Sequence, residues 1–237
     1  MKVLVTGANG LIGNAIVKEI GKTDLGLVTH TRRKENAIAH TQGVYFDSRI
    51  IDQIVFPEGI DCIIHTATSN ENKVRDLNLA LSSTILGTLN LVHKAIECGV
   101  KRFIYISTTQ VYGPAEVLDE QSVVDATSDY ALQHLVTEKA LQLCAPNFSA
   151  GVTILRVANV FSQSEIALNH RSNLVPTCFV LDGLLTKQIN LKTNGNQRKS
   201  FICDETLAEI AVEEAALEQE KVGFIEKERA LQSMQQA

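Results

Sequence analysis

Three glycines at intervals of three, Gly7, Gly10 and Gly13, stand in the run Thr6-Gly7-Ala8-Asn9-Gly10-Leu11-Ile12-Gly13, between an apolar β-type run and a helical pattern. That spacing suits a pyrophosphate. Gly7 permits the tight turn, Gly10 lets backbone come close to the anion, and Gly13 lets the helix pack on the sheet, while the helix N-terminus offers N–H groups and its positive dipole end. Gly7, Asn9, Gly10, Leu11, Ile12 and Gly13 are therefore expected to hold the diphosphate of NAD or NADP. The next β-type run ends Val28-Thr29-His30-Thr31-Arg32-Arg33, with no carboxylate to accept from an adenosine ribose. Arg32 and Arg33 would attract a 2′-phosphate, which favours NADP over NAD. The other reading of these two arginines is a pair of solvated loop residues.

Such a turn needs a strand before it and a helix after it, and the chain supplies both repeatedly. Short β-branched runs near Lys2–Thr6, Gly26–Thr31, Val44–Phe46, Cys62–His65, Arg102–Ser107 and Thr153–Val157 alternate with helical patterns at Leu11–Ile20, Asn72–Cys98 and Asp129–Leu143. Alternation of this kind predicts βαβ units and a parallel sheet. The expected class is α/β, a Rossmann-type doubly wound parallel sheet over residues 1–160, followed by a small, shortened C-terminal substrate region over 161–237. Within that region a further short strand pair is expected around Ile189–Leu191 and Ser200–Cys203. An amphipathic helix follows, with seven carboxylates and no base between Asp204 and Glu220, its acidic face solvated and Leu207, Ile210, Ala211 and Leu217 inward. The Gln-rich residues from Gln232 to Ala237 read as a frayed end.

Composition excludes several alternatives. Lys and Arg number 22 against 27 Asp and Glu, a net charge of −5, which argues against nucleic acid or an anionic membrane as the main partner. The five cysteines are an odd number without a C-x-x-C spacing, so neither a disulfide framework nor a metal site is expected, and most read as buried thiols. The first run enters the glycine turn at once, leaving no signal peptide, and the stretch from Leu174 to Leu185 is too short and too interrupted to span a membrane. A soluble, cytoplasmic protein is the expectation.

Further runs bring a family into view. The glycine turn in T-G-x-x-G-x-x-G form, Asp61-Cys62-Ile63-Ile64-His65-Thr66-Ala67, Gly87-Thr88-Leu89-Asn90-Leu91, Val100-Lys101-Arg102-Phe103 and Ser107-Thr108-Thr109-Gln110-Val111-Tyr112-Gly113 occur in that order. With Arg156-Val157-Ala158-Asn159-Val160-Phe161 and the segment from Gly195 to Ile202, they resemble the extended short-chain dehydrogenase/reductases that modify nucleotide-sugars. The resemblance implies that Asp47 and Ser48 meet the adenosine end of the cofactor, that Ala67 and Thr68 lie beneath it, and that Thr108 is the catalytic Ser/Thr. It places Asn159 and Lys199 where the family grips the nucleotide-sugar and its diphosphate. His65 reads as a structural histidine rather than a catalyst. Similar proteins pair through the two long helices, so a homodimer is expected.

The family's catalytic tyrosine and lysine, four residues apart, fall on Tyr130 and His134, and the second is not a lysine. His134 comes about 40° round the helix from Tyr130, on the same face, whereas Lys139 is about 180° away and cannot substitute. Tyrosine ionises near pH 10 and needs a fixed positive neighbour to exchange protons near neutrality. A histidine is mostly neutral there, though it can still hydrogen-bond the cofactor ribose. No acid pair follows Thr108, since Thr109 and Gln110 stand there, so epimerisation or ketone reduction is expected before dehydration. The alternative is a catalytically impaired NAD(P)-binding protein with a regulatory or scaffolding role.

Overall fold

The computed structural model describes residues 1–68, 78, 81–114, 118–164, 175–189, 191, 194, 196 and 198–217. Six strands form one wholly parallel sheet in the order β3-β2-β1-β4-β5-β6, where β1 is Lys2–Thr6, β2 Gly26–Thr31, β3 Gln42–Tyr45, β4 Cys62–His65, β5 Arg102–Thr108 and β6 Val152–Val157. The order turns back between β1 and β4, which pair with Val3 opposite Cys62 and Thr6 opposite His65. In a doubly wound sheet the crevice at the carboxyl ends of two such strands is where ligands bind.

Each face of the sheet is covered by helices, so the strands are apolar on both sides over most of their length. Val3, Val5, Cys62, Ile64 and Ile104 face α1 (Leu11–Ile20), together with Ala208, Ala211, Val212 and Ala215 of α5 (Asp204–Ala216). Leu4, Val28, Ile63, Phe103 and Tyr105 face the other way, towards Leu91, Val92 and Ala95 of α2 (Gly87–Glu97) and Leu141 of α3 (Asp129–Cys144). One π-helical turn, Leu81–Leu86, leads into α2. The long helix expected over Asn72–Cys98 lies partly outside the described residues, and the expected frayed end lies wholly outside them.

Helix α5 follows residue 160 in sequence yet lies in the first helical layer against α1. Its acidic face is not wholly solvated. The Glu214 carboxylate accepts from Thr153 at 2.8 Å and from the buried Arg102 at 3.2 Å, and Asp204 is buried at the first turn. The inward residues are Leu207, Ala208, Ala211, Val212 and Ala215, while Ile210 points out. The expected strand pair is also corrected. β8 (Phe201–Cys203) pairs in parallel with β7 (Asn159–Phe161), with Asn159 opposite Phe201, and Ile189 and Leu191 lie outside any strand. Helix α4 (Val175–Leu185) lies between those two strands in sequence.

None of the five cysteines is disulfide-bonded, but only Cys62 is buried, on the interior strand β4, where desolvation pushes its thiol up to about 12. Cys98 is exposed at the C-cap of α2, and the other three are partly covered. Among the described residues no helix is long and apolar enough to cross a membrane.

Candidate dinucleotide site

The glycine turn is held by contacts that exclude any larger residue. Gly7 has φ of 68°, and a Cβ there would sit 2.7 Å from Thr66 Oγ1 and 2.9 Å from the Ala67 backbone nitrogen. Thr66 closes the packing from below by donating to the Thr6 carbonyl at 2.7 Å. A Cβ on Gly13 would fall 2.2 Å from the Gly7 carbonyl oxygen, so only glycine lets α1 start this close to the turn. Gly10 is the N-cap of α1, donating to the Gly7 carbonyl at 2.8 Å, and no side chain caps the helix. The first turn of α1 carries no acidic residue either. Uncapped N–H groups and an uncompensated positive dipole end therefore face the cleft, which is what a diphosphate requires. The residues present fit a dinucleotide.

Two cavities meet at this turn, sharing Gly10, Thr66 and Thr68. The larger, about 590 Å³, runs towards the ends of β2 and β3, and Asn9, Arg32, Arg33, Asp47, Ser48 and Ala67 all line it. The Asp47 carboxylate is gripped by Arg49, whose Nε donates to it at 2.9 and 3.1 Å. That guanidinium holds the Asp47 carboxyl down at about 2. Among the described residues Arg33 pairs only with Glu35, at 3.8 Å and with both side chains well exposed, so its charge remains open to solvent. His30 completes the wall by stacking on Phe46 with centroids 3.9 Å apart.

The smaller cavity, about 250 Å³, is walled by Leu11, Ile12 and Gly13 on one side and by Thr108, Tyr130, His134 and Asn159 on the other. Tyr130 and His134 meet edge to face with ring centroids 4.8 Å apart. Lys139 is exposed on the far side of α3, within 3.4 Å of Gln142 Oε1. The Asn159 side chain donates to the Ser200 carbonyl at 3.0 Å, which brings the segment carrying Lys199 alongside. Lys199 itself is exposed and lines none of these cavities.

The two central histidines differ in what they have left to offer. His65 is fully engaged. Its Nδ1 lies 2.6 Å from Thr6 Oγ1 and its Nε2 lies 2.9 Å from Thr88 Oγ1, and burial drives its pKa down to about 3. His134 is equally buried, with Nδ1 2.8 Å from the Tyr105 hydroxyl, while its Nε2 has no hydrogen-bond partner among the described residues. Desolvation lowers its pKa to about 4, so it is neutral near pH 7.

A second polar cluster fixes the helix that carries both rings. Glu138, one turn beyond His134, has a side chain with no exposure and accepts three hydrogen bonds from Arg156 at 2.7 to 3.2 Å. Ser107 donates to the same carboxylate. Arg156 in turn lies over the Tyr112 ring, 4.7 Å from its centroid. Tyr105, Ser107, Thr137, Glu138 and Arg49 were not singled out from sequence. The alternation of β5 supplies the signal for two of them, because Phe103, Tyr105 and Ser107 share the sheet face that α3 covers.

A parallel sheet of this order with an anion-binding turn at its switch point defines a Rossmann-type dinucleotide-binding fold. The chain belongs to the NAD dependent epimerase/dehydratase family, which it matches over residues 3–221, within the extended short-chain dehydrogenase/reductases. A dTDP-D-glucose 4,6-dehydratase of Dictyostelium discoideum is 27% identical over 235 residues, covering 85% of this chain and 52% of the relative. A UDP-glucose 4-epimerase of Vibrio cholerae is 29% identical over 175 residues, covering 67% of this chain and 52% of the relative. The chain thus spans about half the length of these relatives. Among solved structures, MoeE5 in complex with UDP-glucose and NAD aligns with a TM-score of 0.79 at 21% identity, over 92% of this chain and 73% of that one. The UDP-glucose 4-epimerase of Thermotoga maritima with UDP-glucose gives 0.78 at 22%, over 90% and 72%. At these identities the likeness is one of fold.

Proposed function

We propose that this chain binds NADP or NAD and uses it to epimerise or reduce a nucleoside-diphosphate sugar. The observation that carries the reading is the continuous cleft from the uncapped start of α1 to Thr108, Tyr130 and His134. The bound dinucleotide would exchange a hydride with a sugar carbon. Tyr130 would exchange the accompanying proton with the sugar oxygen, Thr108 would hold that oxygen, and Asn159 and Lys199 would meet the nucleotide end. Among the described residues no carboxylate lines the smaller cavity, where Thr109 and Gln110 follow Thr108, and this favours epimerisation or ketone reduction over dehydration.

Solved relatives carry NAD by their descriptions, whereas here Arg32 and Arg33 line the adenosine end and no carboxylate follows them before Glu35. A 2′-phosphate would pair with that charge, so NADP is the cofactor we assign first. The outer face of α3 exposes Leu132, Val136 and Leu143, and a second copy of the chain is the partner we assign to it.

One observation favours a second reading, a dinucleotide-binding protein of reduced catalytic power: His134, one turn after Tyr130, is neutral and offers it no charge. Thermal shift and calorimetry with each oxidised and reduced dinucleotide test the binding, because a ligand of the folded state alone raises its stability. Turnover of a nucleotide-sugar panel by the native chain and by His134→Lys then separates the readings. Activity in the native chain supports the enzyme, activity only in the variant supports the impaired form, and no dinucleotide binding overturns both.

A further inference from the structure

His30 stands at the adenosine end of the cleft, on β2 opposite Val44 of β3, where it lines the larger cavity with 6% of its surface exposed. Its Nε2 is 2.9 Å from the Phe46 carbonyl oxygen, an atom that can only accept, so the ring hydrogen sits on Nε2. Burial lowers the pKa of this imidazole, which is therefore neutral near pH 7 with a bare lone pair on Nδ1. That nitrogen is buried and has no hydrogen-bond partner among the described residues. Burial alone does not leave a ring in this state, because His65 engages Thr6 through one nitrogen and Thr88 through the other. With Nε2 turned to Phe46 and one ring face stacked on the Phe46 ring, what remains of His30 to form the cavity wall is its other face and the edge that carries Nδ1.

We propose that His30 is a specificity-determining residue whose Nδ1 accepts from the exocyclic amino group of the dinucleotide's adenine, so that the site selects an amino-bearing base over an oxo-bearing one. The proposal rests on the dinucleotide reading above. A buried acceptor without a partner costs stability, and a donor on the ligand removes that cost. The Asp47 carboxylate on the same wall is already engaged, since Arg49 donates to it from the backbone nitrogen at 3.1 Å, from Nε at 2.9 and 3.1 Å, and from Nη2. The paired rings of His30 and Phe46 form a flat surface that suits a planar base. An oxo group in place of the amino group would set its lone pairs against Nδ1. The ring cannot answer by moving its hydrogen to Nδ1, because the Phe46 carbonyl would then lose its donor. The bond to Phe46 is thus what makes His30 an acceptor and keeps it one.

The test is calorimetry of the full chain with NADP and NAD, each against its hypoxanthine counterpart, in which an oxo group replaces the adenine amino group. The native chain should bind the adenine form about tenfold more tightly. In His30→Gln the side-chain amide reaches the position of Nε2 and can still donate to Phe46, but no acceptor stands where Nδ1 stood. Its affinity for the adenine form should fall to that for the hypoxanthine form, while the latter is unchanged. His30→Asn, which places an amide oxygen near the position of Nδ1, should retain the preference. Long-range proton–nitrogen correlation spectra with nitrogen-15 histidine supply a second readout: His30, identified by its loss in His30→Gln, should show a bare Nδ1 whose resonance moves on addition of the adenine form and not of the hypoxanthine form. Dinucleotide binding without base preference in the native chain overturns the proposal alone, as does a preference that survives in His30→Gln. An equal loss of both affinities in that variant reduces His30 to a packing role and overturns it too. Absence of all dinucleotide binding overturns the proposed function with it.

Discussion

Replacing Glu138 by alanine removes the acceptor of three hydrogen bonds from Arg156 and one from Ser107, at a carboxylate with no exposure. Breaking a buried pair by deleting one partner costs about 3–5 kcal/mol, because the other charge is left uncompensated. The Arg156 side chain keeps 18% of its surface in water and its contact with the Tyr112 ring, which places this case near the lower end. The orphaned Ser107 hydroxyl adds about 1 kcal/mol, for a total near 4 kcal/mol. Against a total stability on the order of 5–15 kcal/mol this is a large fraction. In urea titrations followed by far-ultraviolet circular dichroism the midpoint should fall by about 1.5 M, taking a slope of about 2.5 kcal/mol per M. The double variant Glu138→Leu, Arg156→Met replaces the pair by apolar groups of similar size and should recover most of the loss. A loss below about 1 kcal/mol for Glu138→Ala would place the pair among exposed ion pairs and refute the burial argument. A double variant as unstable as the single one would show that packing, not an uncompensated charge, carries the effect.

Gly13→Ala should abolish measurable dinucleotide binding in calorimetry, because its Cβ would lie 2.2 Å from the Gly7 carbonyl and α1 could not start where it does. Unchanged affinity would remove the turn from the site. The pH dependence of stability should be steep on the acid side of neutrality. His65 and His134 titrate at about 3 and about 4 when folded, against 6.5 ordinarily, so below pH 6.5 the unfolded chain binds protons that the folded chain refuses. Their contribution is complete above pH 6.5 and is lost as pH falls towards 4, at up to about 1.4 kcal/mol per pH unit for each histidine. Denaturant titrations between pH 4 and 7 measure the slope, and His134→Gln should lower it by up to about 1.4 kcal/mol per pH unit.

The turn was legible from sequence because its reasons are local: a backbone sign at Gly7 and a close approach at Gly13 both select glycine within seven residues. The sheet was legible because strands covered on both faces carry apolar, β-branched runs, and β1, β2 and β4 fall where those runs predict. The partner of β8 was not, since a three-residue strand carries little pattern and its neighbour β7 lies some forty residues earlier. Nor did sequence show how α3 sits. Its buried positions include Gln133, His134, Thr137 and Glu138, while Leu132, Val136 and Leu143 face outward, the reverse of what hydrophobicity alone suggests. The polar face turns inward because Tyr105, Ser107 and Arg156 meet it there, and those partners come from strands distant in sequence.

That inversion ties stability to the site. Two adjacent turns of α3 each fasten to one residue of β5, His134 to Tyr105 and Glu138 to Ser107, two residues apart on the same sheet face. The first contact orients a ring that lines the cleft, and the second sets the height of the helix on the sheet. A sheet spacing of two matched to a helical spacing of four permits only one register, because sliding α3 by a turn would bring Glu138 against Tyr105 and leave Arg156 without its carboxylate. The same register brings Tyr130 to the smaller cavity, one turn before His134. Burying charge and hydroxyls beneath α3 is a weak way to gain stability, since apolar residues would serve as well or better. What the arrangement secures is a single position of Tyr130 relative to Thr108 and the start of α1, the quantity on which proton exchange with a bound ligand would depend.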